Sequence, residues 1–168
     1  TDGDGYVDKD GEKLSINWLT YPTRLEQPKL AEYAQATLKD IGIDVQVNNT
    51  SDHRTFAENG DFDVYVSSTT TAPTGDPEYF FTSTVVGSKN YGKYQNDEVT
   101  KLTEKLHQTF DKDERGKLAV ELQQDILDDD AFFFVSHLNM GIVTKFNVKG
   151  MAAHPCDYYE ITADLDVE

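Results

Sequence analysis

The residues best suited to hydrogen-bonding chemistry in this sequence lie together in a polar loop, residues 67–77. Five consecutive hydroxyl side chains open it, Ser67–Thr71, and hydroxyls both donate and accept hydrogen bonds. Pro73 and Gly75 predict tight turns, and Asp76 is placed to cap the helix that follows. This combination predicts a binding segment. An ordinary surface loop rich in serine and threonine is the alternative interpretation.

A predicted strand leads into this loop and would support it. Phe62–Ser67 alternates apolar and polar residues with a period of two, as strands do. The same alternation predicts strands over Lys13–Thr20 and Ile43–Val47, and residues 28–41 between them show helical spacing. Strand, helix and strand in this order form a βαβ unit, so the sequence predicts three parallel strands. Ligands of open α/β sheets gather outside the carboxyl ends of strands, which makes the loop the default binding segment.

The residues after this loop are predicted to be mainly helical. A short helix is expected over Glu78–Thr84, followed by a loop over Gly87–Asn96. Apolar residues at helical spacing then predict two helices, Asp97–Phe110 and Asp113–Leu127, which would form a helical hairpin.

Two apolar segments near the C-terminus predict further strands. Ala131–Leu138 is too apolar for a sheet edge and is expected to be a buried strand paired with Ile142–Phe146. The expected fold class is therefore α/β, with a parallel βαβ core, a helical hairpin and added C-terminal strands. At 168 residues the chain fits a single domain, residues 1–168.

Composition and charge exclude several classes of function. The net charge of −16 argues against nucleic acid or an anionic membrane as a partner, because both would repel the chain. No apolar run approaches the roughly 20 residues that span a bilayer, and the first residues are unlike a signal peptide. None of the common nucleotide-binding, zinc-protease or serine-hydrolase motifs is present, so the sequence predicts no enzyme and no cofactor.

An acidic turn at the N-terminus is a weak candidate for calcium. Asp2, Asp4 and Asp8 alternate with turn residues as in the middle of an EF-hand loop. The bidentate glutamate of such a loop would fall on Gly11, however, and Glu12 comes one residue late. A solvated acidic turn is the alternative.

The histidines and loop tyrosines have modest predicted roles. His53 and His107 are expected on the surface, and His137 is expected to be packed or to cap a strand end. His154 and Cys156, the only cysteine, form a weak candidate metal pair. Two tyrosines of the second loop, Tyr91 and Tyr94, are expected either to wall a ligand or to cover the edge of the core.

The order of these segments resembles the C-terminal large lobe of the family 5 extracytoplasmic solute-binding proteins, the receptors of oligopeptide, dipeptide, nickel and metallophore ABC importers. The resemblance covers nearly the whole chain. It is carried by separated segments that occur in the family's order: TDGDGYVDKDGEKLSINWLTYP, KLAEYAQATLKDIGIDVQV, GDFDVYVSS, TAPTGDPEYFF, NYGKYQNDEVTKLTEKL, DKDERGKLAVELQQDILDDDAFFFVSHL and VKGMAAHPCDYYEI.

The resemblance implies that this chain is one lobe of a two-lobed receptor. Residues 148–168 would lead back toward the missing N-terminal lobe, which forms the opposite wall of the ligand cleft. Contacts from this lobe would come from the segments equivalent to Thr69–Asp76 and Gly87–Tyr91. The implied ligand-binding residues are Thr69, Thr70, Thr71, Thr74, Asp76, Asn90 and Tyr91.

The resemblance also implies a ligand class and a location. The segments TAPTGDPEYFF and NYGKY are more similar to the nickel and metallophore branch than to the peptide branch. Gly87–Tyr91 lacks the histidine that nickel receptors can place there, so nickel would arrive as a chelate with histidine or a metallophore. The alternative is a dipeptide or oligopeptide receptor. Either would work with an ABC membrane permease, in the periplasm or lipid-anchored outside the cytoplasmic membrane.

Overall fold

A computed structural model describes residues 3–139, 141–153 and 162–168. The chain divides into two compact units, Thr1–Thr69 and Thr70–Glu168. Among the described residues, no helix is both long enough and apolar enough to cross a membrane. The expectation of a single domain stays a prediction.

A parallel three-stranded sheet organises the first unit. Its elements in chain order are the hairpin of β1 (Asp8–Lys9) and β2 (Glu12–Lys13), then β3 (Ser15–Thr20), α1 (Glu26–Lys39), β4 (Asp44–Asn49), α2 (His53–Asn59) and β5 (Val64–Tyr65). The strand order is β4-β3-β5, and β3 runs parallel to both neighbours. The predicted parallel βαβ core is confirmed, although β5 is shorter than the predicted Phe62–Ser67.

The sheet forms where apolar side chains alternate along the chain. Leu19 of β3, Val45 of β4 and Ala31 of α1 are all fully or almost fully buried. The chain turns from α1 into β4 at Gly42, whose φ of +81° lies in the left-handed region. A side chain there would be strained in that conformation and would also press on the backbone around Val7.

The second unit is built around helices. They are α3 (Glu78–Phe80), which continues into a π-helical turn over Phe81–Val85, α4 (Asp97–Gln108) and α5 (Lys112–Asp128). A small antiparallel pair follows, β6 (Val148–Lys149) with β7 (Asp166–Val167). The predicted helices and their hairpin are confirmed. The core consists of the apolar faces of the helices and of the π-helical turn, namely Phe81, Val85, Val99, Leu102, Leu106, Leu118, Ala119, Leu122 and Ile126.

Side-chain caps set the starts of the two long helices. Asn96 accepts hydrogen bonds from the backbone N–H groups of Glu98 and Val99 at the start of α4. Asp111 accepts from the N–H groups of Asp113 and Glu114 at the start of α5. Each cap satisfies N–H groups that have no partner inside the helix.

The prediction of buried strands over Ala131–Leu138 and Ile142–Phe146 is wrong for this chain. Neither segment forms a strand, and Phe133, Val143 and Phe146 expose 88%, 97% and 95% of their surface. No backbone hydrogen bond joins residues 132–139 or 141–144 to another described residue. The apolar pattern predicted burial, but a strand also needs a neighbouring strand, and the described part of the chain supplies none.

Candidate functional site

Asp76, one of the predicted ligand-binding residues, is an anchor of the polar loop. Its Oδ1 accepts a hydrogen bond from the N–H of Glu78 at 2.9 Å, so it caps α3 as predicted. Both carboxylate oxygens also accept hydrogen bonds from the guanidinium of Arg115 on α5, with distances of 2.6 Å to Oδ1 and 2.7 and 3.1 Å to Oδ2. This paired geometry is the strong form of a carboxylate–guanidinium contact. Sequence reasoning did not single out Arg115, which lies 39 residues from Asp76.

Arg115 connects three elements of the second unit. It also donates to Oε2 of Glu78 at 2.9 Å and to the carbonyl oxygens of Leu106 and Thr109, at 2.7 and 2.6 Å. Those two carbonyls lie at the C-terminal end of α4, where a helix favours a cation. The loop end, α3 and the α4–α5 hairpin are therefore tied to one side chain.

The pKa values of the two carboxylates follow from this contact. Burial, the largest single effect, raises the pKa of Asp76 and of Glu78. Hydrogen bonds and charge from Arg115, joined by the N–H of Glu78 for Asp76 and by His107 for Glu78, together outweigh burial and hold each pKa below its usual range. Oε1 of Glu78 lies 2.6 Å from Nδ1 of His107, which is otherwise exposed as predicted. The carboxylates thus remain charged to more acidic pH than isolated ones.

Asn90, a second predicted ligand-binding residue, closes its own loop. Its Nδ2 donates to the carbonyl of Tyr94 at 2.8 Å, and its Oδ1 accepts from the N–H of Tyr94 at 2.9 Å. The hydroxyl of Tyr94 donates to Oδ2 of Asp129, as does the side chain of Asn96. Burial and the Asp129 carboxylate raise the pKa of Tyr94 to about 12. Tyr94 packs against the helical core, so of the two alternatives for this residue it covers the core edge.

The remaining predicted ligand-binding residues are partly or fully exposed to solvent. Thr69 and Thr70 are half-buried, Thr71 and Thr74 are exposed, and Tyr91 is half-buried. Thr69 belongs to the first unit and the others to the second. Their role as ligand contacts stays a prediction.

One contact brings α3 and the segment Gly87–Tyr91 together. Nζ of Lys89 donates to the hydroxyl of Tyr79 at 3.2 Å and lies 5.4 Å from the centroid of its ring. Gly87 marks the start of this segment. A Cβ built there would lie 2.0 Å from the carbonyl oxygen of Thr82, so only glycine fits. The end of the π-helical turn therefore fixes where the segment begins.

An aromatic cluster at the carboxyl end of the sheet was missed by sequence reasoning. His53 stacks on Tyr21, with ring centroids 4.0 Å apart, and its Nδ1 lies 2.6 Å from the hydroxyl of Tyr65. Tyr21 directly follows β3 and Tyr65 ends β5, so adjacent strands deliver both rings to one edge. The prediction of an exposed, solvated His53 is wrong, because the tyrosine partners are distant in sequence. Burial, with a smaller effect of Arg54, lowers the pKa of His53.

The other candidate groups give mixed outcomes. His137 is exposed and not packed. Of the calcium candidates, Asp4 accepts a hydrogen bond from the N–H of Tyr6, and Asp2 lies outside the described residues, as do His154 and Cys156. Within the described ranges, no group of three or more histidine, cysteine, aspartate or glutamate side chains is arranged to hold a metal ion. Calcium binding stays a prediction.

The family of the chain is decided by a match over its first half and beyond. Residues 1–92 match the sequence profile of the bacterial extracellular solute-binding proteins, family 5 Middle. The chain belongs to the family 5 solute-binding proteins. The parallel sheet and the whole polar loop fall inside the matched residues, whereas the hairpin that carries Arg115 lies beyond them.

Curated relatives include both peptide-binding and nickel-binding proteins. The chain is 29% identical over 167 residues to the oligopeptide-binding protein AppA of Bacillus subtilis, covering 96% of this chain and 31% of that protein. It is 26% identical over 168 residues to the nickel-binding protein NikA of Staphylococcus aureus, covering 98% of this chain and 34% of that protein. The chain thus spans about a third of the length of these relatives.

Solved structures give the same picture. A nickel ABC transporter protein from Bacillus halodurans is 32% identical, with a TM-score of 0.65 over 74% of this chain and 27% of its own. Staphylococcus aureus NikA in complex with Ni(L-His)2 is 28% identical, with a TM-score of 0.63 over 73% of this chain and 27% of its own. Bacillus subtilis AppA in complex with a nonapeptide is 26% identical, with a TM-score of 0.57 over 77% of this chain and 27% of its own. The α/β fold of the family is thereby confirmed.

Proposed function

We propose that this chain is one lobe of the substrate-binding component of an ABC importer, which captures nickel as a small chelate outside the cytoplasmic membrane. The observation that carries the proposal is family membership combined with the polar loop, which follows the carboxyl end of β5. Threonine hydroxyls on this loop would hydrogen-bond the chelator. Ligand clefts commonly use a small number of precisely placed polar groups in this way to orient the ligand. The intact receptor would act in the periplasm or on a lipid anchor and deliver its solute to a membrane permease.

Two observations favour a chelate over a bare ion. Across the described residues there is no set of three metal-binding side chains, and four ligands are usual for a transition metal held by protein alone. A solved relative, NikA of Staphylococcus aureus, carries nickel as Ni(L-His)2.

A peptide receptor is the second candidate. Its specific support is AppA of Bacillus subtilis, which has the higher identity of the two curated relatives and was solved with a nonapeptide. On this alternative, main-chain groups of the peptide would pair with the loop hydroxyls and with neighbouring backbone.

Calorimetric titration of the full-length receptor separates these candidates. Nickel is titrated alone, nickel with excess L-histidine second, and a nonapeptide mixture third, all in buffer free of other chelators. Binding only in the presence of histidine supports the chelate. Tight binding of nickel alone would contradict it, and binding of the nonapeptides alone would establish the second candidate.

The missing part of the receptor would cover the largely exposed segment of residues 133–139 and 141–146. Its side chains include Phe133, Val143 and Phe146, which are almost fully exposed, and residues of this kind favour strands. Curated relatives are about three times longer than this chain, so other parts of the polypeptide are available as strand partners. Hydrogen exchange tests this: amides of 132–138 and 142–146 should exchange slowly in the full-length receptor and rapidly in this chain alone. Rapid exchange in both would contradict it.

A further inference from the structure

We propose that Arg115 is a positioning residue for the polar loop: it sets the conformation of residues 70–76, and thereby the affinity of the receptor for its solute. The inference rests on the proposed function for its second part. It assigns a binding role to a side chain on α5, which lies outside both predicted ligand segments.

The first step is that Asp76 has little capacity left for a ligand. Its two oxygens accept three hydrogen bonds from Arg115 and one from the backbone of Glu78. An ionised carboxylate has about four acceptor sites, so these partners occupy them. The predicted contact of Asp76 with ligand stays a prediction, and in this geometry Asp76 is the fixed end of the loop.

The second step is that Arg115 is itself held in place. Only 15% of its side chain is exposed, and the carbonyls of Leu106 and Thr109 direct its guanidinium toward Asp76. Hydrogen bonds from Arg115 to Asp76 and Glu78 are also the main reason that its own pKa is raised, so it remains charged. Arg115 therefore holds the end of the loop at a fixed position relative to the last turn of α4, which belongs to the helical core.

The third step is that lysine cannot replace this side chain. A lysine ammonium is a single point charge, whereas the planar guanidinium offers five N–H donors in a fixed fork. Lysine could keep an ion pair with Asp76 or bond the α4 carbonyls, but it could not hold both at once. Arg115→Lys thus removes the geometry and keeps the charge.

The experiment uses the full-length receptor and two readouts. Arg115→Lys, Asp76→Asn and the double variant are compared with Arg54→Lys, the same change at an exposed position of α2. In the ligand-free protein, hydrogen exchange of Gly75 and Glu78, whose N–H groups bond to the carbonyl of Ala72 and to Asp76, should be about tenfold faster in the first three, as expected for losing one charge-assisted hydrogen bond. The double variant should exchange at the same rate as the single variants, because each substitution already removes the same contact, the one between Arg115 and Asp76. Helices α4 and α5 should keep wild-type exchange, which shows that the fold is intact.

Affinity is then measured with two probes, nickel with L-histidine and the nonapeptide mixture. Whichever probe the wild type binds should bind about tenfold more weakly to Arg115→Lys and normally to Arg54→Lys. Unchanged exchange of Gly75 and Glu78 overturns the inference whatever the affinities are. Faster exchange with wild-type affinity shows that Arg115 is only structural and also overturns it. If the wild type binds neither probe, the proposed ligand classes fail, and the exchange data alone decide whether Arg115 sets the loop.

Discussion

Replacing Gly87 by alanine should destabilise the second unit through one backbone collision. The added Cβ would lie 2.0 Å from the carbonyl oxygen of Thr82 and 2.9 Å from that of Ser83, whereas real Cβ contacts stay above 3.0 Å. The π-helical turn or the segment after it must therefore move by about 1 Å. Overpacking of this kind costs about 1–3 kcal/mol.

The same loop offers a matched control. Gly92 has open space around its Cβ position and no positive φ, so Gly92→Ala meets no obstacle. Alanine at such a site lowers the entropy of the unfolded chain, and we expect a gain of about 0.4–1 kcal/mol.

Urea unfolding followed by circular dichroism is the suitable assay. The second unit supplies most of the helical residues behind that signal, and α1 and α2 of the first unit contribute the rest. Fluorescence of Trp18, the only tryptophan, reports separately on β3 of the first unit. Gly87→Ala should lower the free energy of unfolding and Gly92→Ala should not. Equal stability of the two variants would refute the close approach of Gly87 to Thr82.

Further predictions concern the core, acid stability and the exposed segment. Leu122→Ala should cost about 2.7–5 kcal/mol, because Leu122 is fully buried, whereas Val120→Ala on the exposed face of the same helix should change stability by less than about 0.5 kcal/mol in a urea titration. Because the pKa of Asp76 is lowered by folding, its contribution is present at neutral pH and is lost as pH falls below about 4. The stability difference between wild type and Asp76→Asn should therefore shrink between pH 6 and pH 3, and a constant difference would contradict the ion pair. Phe133→Glu should leave the melting temperature of this chain nearly unchanged but lower that of the full-length receptor, and equal effects would argue against a covering partner.

The regular elements could be predicted from the sequence because their signals are local. The apolar spacing of α4 and α5 and the alternation along β3 each lie within one element, and the structure confirms them. Gly42 and Asp76 were also assigned correctly as a turn residue and a helix cap, since both roles depend on near neighbours.

The contacts that shape the candidate site could not be predicted, because they join residues far apart in sequence. Arg115 reaches Asp76 across 39 residues, and Asp129 reaches Tyr94 across 35. In the sequence, Arg115 looks like any charged residue of an amphipathic helix. The strands expected at 131–146 failed for the opposite reason: their local pattern is clear, and the missing factor is a partner.

The apolar segment keeps contact with the helical core at its start, where the ring centroids of Phe132 and Phe134 each lie 6.0 Å from that of Phe80. Phe132 packs edge-on against Phe80 and Tyr94, with ring centroids 6.0 and 6.3 Å away, whereas Phe133 is exposed. The N-terminal end of the apolar segment is thus attached to the folded helical unit before any partner binds the segment. Tethering raises the effective concentration of the segment for other parts of the same polypeptide, so docking within one receptor should outcompete association between receptors. We therefore expect the full-length protein to remain monomeric at concentrations where this chain alone self-associates.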